Sequence, residues 1–279
     1  MNSEPKTFFI TGVSSGLGRA IAQAALAAGH VVAGTVRLQD AQTNFQGIRA
    51  GRSFAYLLDV AQQTQVRDVI AKVECEIGPI DVLVNNAGYG HEGVIEESTL
   101  EDLTRQLDVN LFGAVAVIQA VLPGMRRRRS GRILNITSMG GITTFPGLGF
   151  YHASKFALEA ISETLAQEVS HLGIHVTAVE PGAFRTDWAG RSMVRAPRSI
   201  EDYSSFMDAV RAGREDRSGK QPGDPAKAAA AVLRLVETET PPRHLLLGND
   251  AVEKAREKLA LLGREIDAWE PVSRSTDFD

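Results

Sequence analysis

A single doubly wound parallel sheet with helices on both faces is the fold class this sequence predicts, on three observations. Short β-rich runs alternate with longer stretches of helical spacing along most of the chain. The runs are almost continuously apolar, as strands buried on both faces must be. The first run leads directly into a glycine-rich turn and then a helix of small residues.

Taken in order, TFFIT (7–11), VVAGTV (31–36), SFAYLL (53–58), DVLVN (81–85), RILNIT (132–137) and HVTAVE (175–180) read as strands. Between them, 18–29 and 64–78 carry apolar residues at helical spacing and end in glycine stops. Residues 99–122 and 151–172 read as two longer helices. Residues 183–222 break the rhythm with Pro, Gly, Ser and Arg, where a substrate loop beyond a strand's carboxyl end is expected. A helix at 224–237, a strand at 244–248 and a helix at 250–262 then close the chain's one expected domain, 1–262. Residues 263–279 lack periodicity and read as a C-terminal tail.

The 279 residues are 43% hydrophobic and 23% charged, enough to bury a core without covalent staples. A net charge of −4 gives no pull toward nucleic acid, so no nucleic-acid partner is expected. Cys75, the lone cysteine, excludes an internal disulfide framework and fits a reducing compartment. The N-terminal apolar run is too short for a signal core, and no stretch reads as a membrane span, so a cytoplasmic location is expected. The six histidines show no metal-ligand spacing, and no metal is expected. The basic run Arg126–Arg129 reads as the solvated end of a helix, where cations suit the dipole.

After the first strand, Gly12, Gly16 and Gly18 let the backbone approach a pyrophosphate, while the following helix aims free N–H groups at it. The second strand ends in Thr35-Val36-Arg37, with no acid before Asp40. Arg37 suits a ribose 2′-phosphate, which a carboxylate would repel, so NADP(H) is expected over NAD(H). The other reading leaves Arg37 solvated and lets Asp40 hold the ribose of NAD(H). Farther along, Tyr151 and Lys155 stand four apart, on one face of a helix. An ammonium beside a phenol favours phenolate, and a shift of ~3 units would need ~4 kcal/mol of differential stabilisation. Ser138, just past a strand, can reach the same oxygen and donate where charge develops.

In order along the chain, TGVSSGLG (11–18), LDV (58–60), NNAG (85–88), Asn110, Ser138, Tyr151-x-x-x-Lys155 and PGAFRT (181–186) resemble the short-chain dehydrogenase/reductase family, closely from residue 7 to about 186. The resemblance implies a Rossmann-like fold and a catalytic tetrad of Asn110, Ser138, Tyr151 and Lys155, with Asn110 linking Lys155 to solvent through water. It places Gly12, Ser14, Ser15, Gly16, Leu17 and Gly18 on the pyrophosphate and ribose. Asp59 and Val60 fall at the adenine, Asn86, Ala87 and Gly88 beside the ribose, and Pro181, Gly182 and Thr186 at the nicotinamide. Tyr151 and Lys155 also touch the cofactor. The branch that resembles it more is the steroid- and retinoid-type one, rather than the acyl-carrier reductases.

The expected activity is interconversion of a moderately hydrophobic ketone or aldehyde with its alcohol. Phe145, Phe150, Phe184 and Trp188 are the expected apolar lining. Two alternatives stay open: Arg185, Arg191, Arg195 and Arg198 holding an anionic or carrier-bound 3-oxo substrate, and a regulator that senses nicotinamide redox state. The family resemblance also implies a homodimer or homotetramer formed through the two long helices.

Overall fold

In the computed structural model, which describes residues 4–278, seven parallel strands form one sheet. They are β1 (Thr7–Ile10), β2 (Val31–Val36), β3 (Ser53–Leu57), β4 (Val82–Asn85), β6 (Gly131–Ile136), β7 (Ile174–Pro181) and β9 (His244–Leu247). Their order is β3-β2-β1-β4-β6-β7-β9. Two three-residue strands, β5 (Gly90–Glu92) and β8 (Met193–Arg195), pair separately in parallel.

The side-chain period of two explains why the strands read as solid apolar runs. In β1, Phe8 and Ile10 enter the core on one sheet face while Phe9 enters the core on the other, and all three are fully buried. Each is worth about 1.5–3 kcal/mol of burial. One face is covered by α1 (Gly16–Ala27) and α8 (Pro225–Glu237), with Phe45 of α2 (Gln39–Gln46) at its margin. The other is covered by α3 (Gln63–Glu76), α5 (Gly113–Arg128) and α6 (Gly149–Val169).

The expected 99–122 helix is two helices joined by a π-turn. Thr99 caps α4 (Leu100–Leu107) through a reciprocal box with Asp102, and a π-helical turn at Asp108–Phe112 leads into α5. By length and composition alone Leu100–Arg128 could cross a membrane, against the sequence expectation of no such stretch. Here its apolar face is used otherwise: Val117, Ile118, Val121 and Met125 are buried against the sheet. The basic run Arg126–Arg129 is exposed as expected, and Arg128 also donates to the carbonyl of Ile80 at 2.6 Å.

Two differences lie near the end of the chain. The 183–222 excursion contains β8 and α7 (Ser204–Arg217), whose polar sequence buries only Met207. The last helix does not stop at 262: α9 runs from Asn249 to Arg274, so most of the expected tail is helical. Gly263 and Pro271 punctuate that stretch like a loop, yet neither ends the helix.

Candidate active site

The strand order reverses direction between β1 and β4, and a crevice at that switch point is where doubly wound sheets hold ligands. The turn after β1 and the turn after β4 meet there. Gly12 adopts φ +76°, and its N–H donates to the Thr35 hydroxyl at 3.1 Å. The side chain of Asn86 donates to the carbonyls of Thr11 (2.9 Å) and Gly12 (3.0 Å). The Thr11 hydroxyl in turn accepts from the N–H groups of Asn86 and Ala87, both at 2.9 Å. Thr11 therefore braces the two turns against each other, a role the sequence alone did not show.

Gly18 sits inside this clasp. A Cβ there would lie 2.3 Å from both the Gly12 carbonyl and the Asn86 amide, so no other residue fits. Ser15 makes no side-chain cap on α1, which leaves the helix's first N–H groups to another acceptor. These features fit a dinucleotide's pyrophosphate. Gly16, at φ +61°, approaches Thr186, joining Ser14–Leu17 to the far wall of the crevice. Pro181 ends β7, and Gly182 has no room for a Cβ because Asp250 stands 2.2 Å from where it would be. Val60 is buried against Gly113, and Asp59 accepts from the Ala61 N–H at 3.0 Å. Arg37 is exposed past β2, and Asp40 is exposed in the first turn of α2.

At the other end of the crevice, Tyr151 and Lys155 are each only 6% exposed, on one face of α6. The Lys155 ammonium donates to the Ile136 carbonyl at 2.8 Å and lies 5.9 Å from the Tyr151 ring centre. Burial pushes the Tyr151 phenol up to about 12, opposed by its hydrogen bond with Ser138. Burial brings Lys155 down to about 8, opposed by the nearby Glu159 carboxyl. The expected depression of the phenol by Lys155 is thus not what this arrangement produces. Desolvation dominates, and the ammonium is turned to a backbone carbonyl; the group that favours phenolate is Ser138.

Ser138 follows β6 directly, and its Oγ accepts from the Gly140 N–H at 2.9 Å, which leaves its own proton to donate. Asn110 lies in the π-turn, almost fully buried. Its Oδ1 accepts from the Tyr89 N–H, while its Nδ2 donates to the Tyr89 carbonyl and to Ser154, all at 3.0–3.1 Å. Asn110 therefore braces the turn beyond β4 against α6, and π-turns recur at functional sites for such purposes.

Residues 6–194 match the family described as short chain dehydrogenase. The chain belongs to that family. It is 39% identical to the oxidoreductase BOA17 of Botryotinia fuckeliana, over 96% of this chain and 98% of that one. It is 38% identical to a 3-ketodihydrosphingosine reductase of Bacteroides thetaiotaomicron, over 88% of each. A short-chain dehydrogenase of Streptomyces avermitilis superposes with a TM-score of 0.91 at 42% identity, covering 99% of this chain and 100% of that one. Two more distant structures carry dinucleotides. One is an alcohol dehydrogenase of Thermococcus sibiricus with 5-hydroxy-NADP (27% identity, TM-score 0.70, 88% of this chain and 96% of that one). The other is ElxO with NADP (25%, 0.74, 89% and 99%).

As a short-chain dehydrogenase, the chain is an oxidoreductase, and the surroundings of Tyr151 show how its site is walled. Phe145, Leu148, Trp188 and Met193 pack around the phenol, with the Trp188 ring 5.2 Å away. Phe184, expected in this lining, instead joins the core under α1 and α8, its ring against Gly223. Phe150 stacks on His91 at 5.3 Å. His152 has a structural task unseen in the sequence. Its Nε2 accepts from the Phe145 N–H and its Nδ1 donates to the Gly140 carbonyl, both at 2.8 Å, pinning the loop over Tyr151. That bonding fixes a neutral ring, and burial holds its pKa down.

The excursion that supplies Trp188 and Met193 is anchored by charge. Glu92, fully buried in β5, accepts from Arg211 (2.8 Å) and Arg214 (3.0 Å), with Arg195 at 3.5 Å. These arginines hold the Glu92 carboxyl below its ordinary range against the effect of burial. Arg198 pairs with Glu97 and Asp208, and Arg185 donates to the Gln221 carbonyl. Three of the four arginines considered for an anionic substrate are thus committed within the chain, and Arg191 pairs with Asp187 at the surface. A 990 Å³ apolar cavity lined by Phe145, His152, Phe156, Phe206 and Met207 lies against a different face of α6 from Tyr151 and Lys155.

One cluster behind the site had no sequence signal. Glu159 lies one turn beyond Lys155, facing the Thr137 hydroxyl and Glu180, and His244 meets Glu180 at 2.7 Å. Burial pushes Glu159 up to about 7 and raises Glu180 as well. The Thr137 hydroxyl, 2.9 Å from the Val179 carbonyl, also bonds Glu159 and works against that rise. Glu159, Glu180 and His244 could also share a cation.

Proposed function

We propose that this protein is an NADP(H)-dependent carbonyl reductase acting on moderately hydrophobic ketones or aldehydes, with Tyr151 as the general acid. The observation that carries this reading is a buried phenol, hydrogen-bonded to Ser138 and one helical turn from a buried ammonium, at the opposite end of a crevice from a glycine cradle.

Gly12, Ser14, Ser15, Gly16, Leu17 and Gly18 would hold the pyrophosphate, Arg37 the 2′-phosphate, and Asp59 and Val60 the adenine. Asn86–Gly88 would flank the ribose, and Pro181, Gly182 and Thr186 the nicotinamide. The dinucleotide supplies a hydride; the chain's own residues handle the oxygen and the proton. With a carbonyl bound, Ser138 turns its hydroxyl proton from the Tyr151 phenol to the carbonyl oxygen, where negative charge grows. Tyr151, kept protonated at neutral pH by burial, delivers its proton to that oxygen. Lys155 and Asn110 hold the positive charge and the hydrogen-bond frame behind it, and the second lone pair of Asn110 Oδ1 can take a water leading to solvent.

Phe145, Leu148, Trp188 and Met193 around the phenol support an apolar substrate, and the relative named 3-ketodihydrosphingosine reductase supports a ketone. The test is NADPH consumption over ketones and aldehydes of increasing apolar length. Turnover that rises with apolar length and prefers NADPH supports the proposal. Preference for small charged ketones, or tight NADPH binding with no turnover on any carbonyl, contradicts it.

A further inference from the structure

We infer that the C-terminal half of α9 pairs antiparallel with α9 of a second copy of this chain. The helix is 26 residues long, yet within the chain it buries only Ala251 and Ala255, both near its start. A Cβ added at Gly263 would meet nothing within 4 Å. Beyond Ala255, an apolar stripe continues uncovered: Leu259 is 62% exposed, Leu262 43%, Ile266 59% and Trp269 65%.

The spacing of that stripe identifies its occupant. Ala255, Leu259, Leu262, Ile266 and Trp269 follow one another at steps of four, three, four and three, the seam of a two-helix coiled coil. A surface helix that covers its own domain shows a wider stripe, set against the core. A narrow seam wants another helix with the same seam, and a second copy supplies one.

Flanking charges fix the direction. Arg256, Gly263 and Glu270 line one edge of the seam, and Lys258 and Glu265 line the other. In a parallel pair, Glu265 would face the partner's Glu270 on both sides, a like-charge contact. Antiparallel, Arg256 faces the partner's Glu270 twice, and one like-charge contact remains, Glu265 against the partner's Glu265 near the axis, in place of two. Leu262 then packs on the partner's Ile266 and Leu259 on the partner's Trp269. Gly263 lies near the two-fold axis, where its lack of a side chain lets the backbones approach. Acidic side chains outnumber basic ones along 249–278, which disfavours an anionic lipid surface as the occupant.

The test uses the full chain with Cys75→Ser, carrying either Gly263→Cys or Arg256→Cys, and a short bis-maleimide. The two copies of position 263 meet at the axis, whereas the two copies of position 256 lie about 20 Å apart at ~1.5 Å per residue. Efficient cross-linking of Gly263→Cys, little of Arg256→Cys, and its loss on adding Leu262→Glu with Ile266→Glu at an unchanged melting temperature support the pairing. Three results overturn it: no cross-link at 263, equal cross-linking at 263 and 256, or a Leu262/Ile266-dependent sedimentation with phosphatidylcholine–phosphatidylserine vesicles in place of a cross-link.

Discussion

Glu159→Gln tests the buried carboxyl cluster behind Lys155 through the pH dependence of stability. The change keeps side-chain volume and removes only the titrating proton. In the folded chain Glu159 sits at about 7, raised from 4.5 chiefly by burial. A group raised in this way contributes stability that is complete below about 4.5 and is lost as pH rises through 7. Between pH 6 and pH 9 that loss is about 1.4 kcal/mol. With an unfolding entropy of about 2.1 cal/mol/K per residue, it is worth about 2 °C in a chain of this length.

The wild type alone would hide the effect. Lys155, lowered to about 8 from 10.5, works the other way: it gains stability as pH rises through 8, and by a similar amount over the same interval. The informative quantity is therefore the melting temperature of the wild type minus that of Glu159→Gln, measured by differential scanning fluorimetry from pH 6 to pH 9. It should fall by about 2 °C. A difference that stays flat or rises would mean that Glu159 is already ionised at pH 6, and the reasoning from burial would be refuted.

Three further perturbations address other parts of the account. Glu92→Gln removes the buried charge shared by Arg195, Arg211 and Arg214. Because those arginines keep some solvent, the cost should be about 2 kcal/mol rather than the 3–5 of a fully buried pair, or about 3 °C in Tm. The carbonyl KM should rise as the 183–222 excursion loosens; an unchanged KM would detach that excursion from the substrate site. Arg37→Glu should weaken NADPH about 10- to 100-fold, the worth of one charged hydrogen-bonding partner, while leaving NADH nearly unaffected; equal weakening of both would argue against a 2′-phosphate contact. Gly18→Ala places a methyl against the Gly12 carbonyl and the Asn86 amide, so isothermal titration should show NADPH binding weakened by at least tenfold. Wild-type affinity would mean that the clasp is not the phosphate cradle.

The strands and the two cores were legible because a parallel sheet buried on both faces must be written in apolar runs, as Phe8, Phe9 and Ile10 show. The site positions were legible where backbone geometry forces a residue type, as at Gly12 and Gly18, or where helix spacing places two side chains together, as at Tyr151 and Lys155. What escaped was what only the folded chain brings together. Glu92 meets Arg211 and Arg214 across more than a hundred residues, and Glu159 meets Glu180 and His244 from three elements. No local pattern announces such pairs. The short elements β5, β8 and α2 were missed because they bury too few apolar side chains to show a period, α2 only Phe45. The expected influence of Lys155 on the phenol failed for a different reason: spacing gives proximity, whereas the direction of the ammonium is set by the Ile136 carbonyl.

The central claim is that the Tyr151 phenol protonates the carbonyl oxygen as the carbonyl carbon receives the hydride. Its most direct test compares wild type and Tyr151→Phe in two measurements on the same preparations: NADPH affinity by fluorescence titration, and kcat with the best ketone of the panel. Affinity should be retained while kcat falls at least ~100-fold, the scale for loss of a general acid. Turnover within a few-fold of wild type, with the cofactor still bound, would contradict the assignment.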